Sequence, residues 1–218
     1  MVNTARSVIL LCCLVSGPLW ATSTGLNNIP TADVVPEDVL VFQYFGDFGN
    51  DNVPDHFVGF KYGPMKNVEI GLDGRIFPEE AEREFVVGQA KLRFELIDDL
   101  AGCLGITNLG DRARSGNEFP FVVLSHDFGF LRAHFGGTTQ KSNEGFFGGI
   151  DKTIKFLERD LMLRGDIIQT NNQRDSTASV GFIYDLGCNF LLESWMSFPT
   201  ESGREDVVTI KLNYVIKF

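Results

Sequence analysis

Residues 207–218 read VVTIKLNYVIKF. Val208, Ile210, Leu212, Tyr214, Ile216 and Phe218 fall on one face of an extended chain, and Thr209, Lys211, Asn213, Val215 and Lys217 on the other. Successive side chains of a strand point to opposite sides, so this stretch carries one oily face and one mostly polar face. A strand that crosses an outer membrane needs that pattern, with the apolar row turned to lipid.

Working back from it, the sequence predicts eleven more strands, at about 39–46, 56–63, 67–75, 85–96, 100–107, 119–127, 130–138, 146–156, 160–170, 176–185 and 189–198. Connectors after odd strands are long and polar, as in GDFGNDNVPD, NLGDRARSGNE and PTESGRED; those after even strands are short, as in GPMKN, IDD, DFG and LERD. Short turns at one rim and long loops at the other are the habit of an up-and-down transmembrane barrel. Strand length agrees, because about ten residues at about 3.3 Å each, tilted by about 40°, cross about 25 Å of hydrocarbon.

The alternation recurs along the chain. Val86, Gly88, Ala90, Leu92, Phe94 and Leu96 interleave with Val87, Gln89, Lys91, Arg93 and Glu95; Val68, Ile70 and Leu72 interleave with Glu69, Asp73 and Arg75. Two strands break the rule: 119–127 is apolar on both faces, and Lys152 interrupts the outward row of 146–156. Alternation alone does not say which face meets lipid, since a soluble barrel around an apolar ligand has the same period reversed. Charge density on the second face, and aromatics such as Phe60, Tyr62, Phe94, Tyr184, Phe198 and Phe218 near strand ends, favour the membrane orientation.

Residues 1–21 have the form of a secretory signal, with Arg6, an apolar run from Val8 to Val15, and Ala21 at the expected cut. Residues 22–38, TSTGLNNIPTADVVPED, are an extended lead-in that plugs or lines the lumen, and 39–218 form the barrel. Cys103 and Cys188 remain after cleavage; their placement on segments that are not neighbours predicts two free, buried thiols. A net charge of −10 with scattered Lys and Arg offers no footprint for nucleic acid.

Catalytic signals are weak. His56 beside Asp55, His126 beside Asp127, and Ser125 beside His126 are adjacent on strands and therefore point to opposite faces. All three histidines, His134 included, are expected at rims or turns. No Cys, His and carboxylate set has metal-ligand spacing, so no cofactor is expected, and the acidic loop Pro78–Glu84 reads as solvated.

The inward row carries the remaining chemistry: Glu69, Asp73, Arg75, Lys91, Arg93, Glu95, Asp160, Arg164, Asp166, Glu193, Lys211 and Lys217. Buried charges must be paired, so these residues either fill the bore or line a narrow polar path.

The run TGLNNIPTADVVPEDVLVFQ at 24–43 resembles the start of YjbH-like outer-membrane proteins, and GGIDKTIKF with RDLMLRGDIIQ is similar to small outer-membrane β-proteins. The closing Phe218 after Tyr214 resembles the C-terminal insertion signal of bacterial outer-membrane proteins. These resemblances imply a link to exopolysaccharide export, contact with outer-membrane lipids, and delivery by the outer-membrane assembly machinery. The expectation is an exported, non-enzymatic outer-membrane barrel of about twelve strands, structural or passing small polar solutes. A secreted soluble barrel binding an apolar ligand is the alternative, and an outer-membrane lipid hydrolase the third reading.

Overall fold

The computed structural model describes residues 25–49, 55–76, 85–110, 117–141, 144–171, 176–201 and 204–218. Residues 1–21, expected from sequence to be an export signal, and the loop Pro78–Glu84 lie outside the described residues. Twelve antiparallel strands run in chain order: β1 Val39–Phe48, β2 Asp55–Met65, β3 Val68–Ile76, β4 Phe85–Ile97, β5 Leu100–Gly110, β6 Phe119–Asp127, β7 Arg132–Thr138, β8 Gly145–Phe156, β9 Arg159–Thr170, β10 Thr177–Gly187, β11 Phe190–Pro199 and β12 Val207–Lys217. Each pairs with its neighbours, and β1 closes the cylinder on β12 from Val39↔Lys217 to Phe48↔Val208. Closure removes both sheet edges, which a bilayer demands because lipid cannot satisfy an open row of backbone groups.

The tight turns gather at one rim. Leu157–Glu158 and Cys188–Asn189 hold φ between 49° and 69°, the left-handed pair of a two-residue hairpin whose twist matches the flanking strands.

The outer wall is the apolar row. Phe42, Val58, Leu92, Leu104, Phe135, Ile150, Val180 and Leu212 are all exposed, Phe135 at 63% and Leu212 at 40%. Lys152 stands on this outward row, with Leu163 as its cross-strand neighbour. A soluble ligand-binding barrel would turn these side chains inward, and that is not the arrangement found.

The lumen is not filled by wall side chains alone. Residues 25–38 thread it, entering beside β2, where Glu37 bridges Gly63 and the Asp38 N–H donates to the Gly63 carbonyl at 2.9 Å. At the far end the lead-in turns back on itself: the Leu26 N–H donates to the Ile29 carbonyl at 2.9 Å, and Gly25 bridges Pro30. Leu26, Ile29 and Ala32 pack against Ala101, Cys103, Phe121, Val123, Phe147 and Ile168 of the wall, and Val35 against Val39, Val41, Ile183, Leu191 and Val215. The double-sided apolar character of β6 follows from this: Val122 and Leu124 face outward, while Phe121 and Val123 receive the lead-in.

Two expectations are corrected. Cys103 is buried and neither cysteine is in a disulfide, but Cys188 is exposed, because it sits in the two-residue turn at the rim. His134 lies inside the lumen and 3% exposed rather than at a rim, because its parity on β7 and its register opposite the inward Ser125 of β6 turn it to the lumen.

Candidate functional site in the lumen

Three sets of wall side chains hold the lead-in, each delivered by the inward parity of its strand. The tip is held by Asp166 on β9. Its Oδ2 accepts the N–H groups of Asn27 and Asn28 at 2.8 and 3.2 Å, and its Oδ1 accepts the Ser179 hydroxyl at 2.8 Å. The Asn27 amide donates to Ser179 at 2.8 Å and the Asn28 amide to Ser197 at 3.0 Å. Two consecutive backbone donors on one carboxylate form an oriented, charge-assisted clamp.

The middle set surrounds Asp33. Arg132 Nη1 donates to both carboxylate oxygens at 3.2 and 3.0 Å, and Arg93 Nη1 reaches Oδ1 at 3.4 Å. Lys91 Nζ donates to the Asp33 carbonyl at 2.6 Å. Arg132 is itself braced from the wall by Asp151, through Nε at 2.9 Å and Nη2 at 2.8 Å. The foot is Glu69, fully buried, whose Oε2 accepts the Val35 N–H at 2.8 Å.

Ser125, His134 and Asp151 also meet here, a constellation that adjacency in sequence hides. Register pairs Ser125 with His134 across β6 and β7, giving Oγ to Nδ1 at 2.7 Å; His134 Nε2 lies 2.9 Å from Asp151 Oδ2. The atoms resemble a nucleophile, base and orienter, yet the surroundings serve another purpose. Ser125 Oγ accepts the Ala32 N–H at 2.9 Å, Asp151 is committed to Arg132, and the lead-in covers the group. The serine is a docking acceptor held in place by the histidine.

A second network occupies the wall from β9 to β2. Glu193 binds Arg164 at 2.7 Å and Lys211 at 3.3 Å, and its Oε1 accepts the Asn213 amide at 2.6 Å. Both cations lie over Trp195, with 5.5 and 5.9 Å to the ring centre. Arg75 pairs with Asp55, and Asp73 stands on the same inward row of β3. Among the described residues no group of three or more metal-binding side chains comes together.

Of the twelve charged residues named from sequence, Glu69, Asp73, Arg75, Lys91, Arg93, Arg164, Asp166, Glu193 and Lys211 thus stand on the inner wall. Glu95, Asp160 and Lys217 share the inward parity but are exposed at the turn-bearing rim, and Asp160 pairs there with Lys155 at 2.8 Å. The reason is height rather than face: each lies near the rim end of its strand. Sequence reading did not name Asp33, Arg132 and Asp151, dismissed Ser125, and placed His134 at a rim. Ser125, Arg132, His134 and Asp151 carry inward parity, which was the available signal.

No protein-family model and no curated protein matches the chain. Solved structures do. The KdgM porin in complex with disordered oligogalacturonate superposes with a TM-score of 0.64 at 11% identity, covering 80% of this chain and 98% of that one. The NanC porin gives 0.60 at 9% identity, covering 79% and 98%. The twelve-strand barrel closed on itself, with its apolar face outward, is thus the fold of porins such as KdgM and NanC.

Proposed function

We propose that the protein is a bacterial outer-membrane channel of narrow bore for small polar solutes, held shut by its own lead-in. The observation that carries this reading is how the bore is filled. A barrel with a purely structural role can close its interior with wall side chains, yet here the wall keeps glycines where the lead-in passes. A Cβ at Gly149 would collide with Leu26, and one at Gly63 with the Pro36 carbonyl. The occupant is an irregular segment that joins apolar contacts at Leu26, Ile29, Ala32 and Val35 to hydrogen bonds and ion pairs which water can replace.

The apolar outer belt supports residence among outer-membrane lipids, with export by the signal at 1–21 and assembly through β12. Likeness in fold to a porin solved with oligogalacturonate supports oligosaccharides as the solute class. Carriage of an exported polysaccharide rests only on the YjbH-like run at 24–43.

Planar-bilayer recording tests the reading. The intact protein is expected to be nearly silent, and a variant lacking 25–35 to show steady single-channel steps. Silence from that variant, once shown to be inserted, rejects the channel.

A further inference from the structure

Asp33 is the carboxylate that Arg93 and Arg132 share. Lys91 donates to its carbonyl, Asp151 braces Arg132, and Glu69 and Lys61 both act electrostatically on Lys91. Without Asp33 the two arginines of this seat lose the carboxylate they hold in common, in a wall where water has limited access. Its partners are nonetheless within solvent's reach, since the side chains of Asp33, Arg93 and Arg132 are 22%, 27% and 29% exposed. The seat also stands near the turn-bearing rim: Arg132 opens β7, and Arg93 precedes the end of β4 at Ile97.

We propose that Lys91, Arg93 and Arg132 form a carboxylate-binding site for solutes, which Asp33 occupies as a tethered internal ligand. The inference rests on the channel reading and names the solute class: small polar molecules that bear a carboxylate. The arginine fork holds one or both carboxylate oxygens, and Lys91 takes a neighbouring carbonyl or hydroxyl oxygen, as it now takes the Asp33 carbonyl. A solute that wins the seat releases the middle of the lead-in, leaving it held at Asp166 and Glu69. Solute binding and release of the middle segment are then coupled, because the solute and Asp33 compete for one set of cations. The tether gives Asp33 a high effective concentration, so a free carboxylate binds the intact protein weakly.

The test is calorimetric titration of sodium glucuronate and of glucose, which differ by the carboxylate, into micelle-refolded protein. Removing the tethered competitor by Asp33→Ala is expected to tighten glucuronate binding by about tenfold or more, with no glucose binding. Adding Arg93→Gln to that variant is expected to abolish the gain. Asp33→Asn serves as a second variant should Asp33→Ala lose heat-modifiable gel mobility. No gain in either variant, or equal binding of glucose, overturns the proposal. Bilayer current in the variant lacking 25–35, which also lacks Asp33, separates the two readings: glucuronate binding without current rejects the channel and keeps the seat, whereas current without binding rejects the seat alone.

Discussion

The backbone N–H of Val35 donates to Oε2 of Glu69 at 2.8 Å, tying the foot of the lead-in to a carboxylate that is wholly buried in β3. A hydrogen bond to a charged acceptor contributes about 1.5–3 kcal/mol. Glu69→Ala is therefore expected to speed amide hydrogen exchange at Val35 by about tenfold or more. Unchanged protection would mean that the apolar contacts of Val35 alone hold the foot.

Glu193 neutralises two cations, Arg164 and Lys211, in a wall that is almost dry. Glu193→Ala leaves both buried without their carboxylate, and breaking such a pair costs about 3–5 kcal/mol. The expected result is a clear fall in the temperature at which the folded gel form disappears. Glu193→Gln keeps an acceptor for Asn213 and is expected to fall less.

Orientation in the bilayer is tested on β12. Leu212 points outward and its neighbour Asn213 inward, 40% and 1% exposed. Leu212→Arg is expected to lower folding stability in phospholipid vesicles by up to about 2–4 kcal/mol, depending on its depth. A variant as stable as the wild type would reverse the inside and the outside of the barrel.

Gly63 leaves the space that the Pro36 and Val35 carbonyls fill. Gly63→Ala is expected to push the lead-in off β2 while the cylinder persists, at an overpacking cost of about 1–3 kcal/mol. Bilayer recordings should show openings absent from the wild type, with heat-modifiable mobility retained.

Ser125 presents its Oγ to the Ala32 N–H and not to an open site. Ser125→Ala is expected to accelerate exchange at the Ala32 amide and to leave hydrolysis of a nitrophenyl ester at the same background rate. Hydrolysis that vanished with the hydroxyl would revive the lipid-hydrolase reading.

The twelve strands were legible in the sequence because each must solve the same local problem. Every crossing needs alternating oily and polar side chains over a fixed length, and every second connector must be a tight turn, so each segment announces itself without reference to the others. The least faithful boundary, β5 at Gly110 instead of 107, falls where Asn108 bulges at φ 57° and Leu109 and Gly110 then resume the pairing with β4.

What the alternation cannot encode is contact between segments far apart in the chain. Ser125, His134 and Asp151 lie on three strands and meet only through register, and Asp33 finds Arg93 and Arg132 only once the lead-in is threaded. The polar lead-in, with two prolines and no period, reads locally as a linker; burial in a charged lumen makes it the plug. The sequence by itself determined the cylinder, through side-chain period and strand length, and favoured one face for lipid, through the charges on the other row and the aromatics near strand ends. Only the tertiary structure decided what fills the bore, because that depends on closure bringing opposite walls within hydrogen-bonding reach of one internal segment.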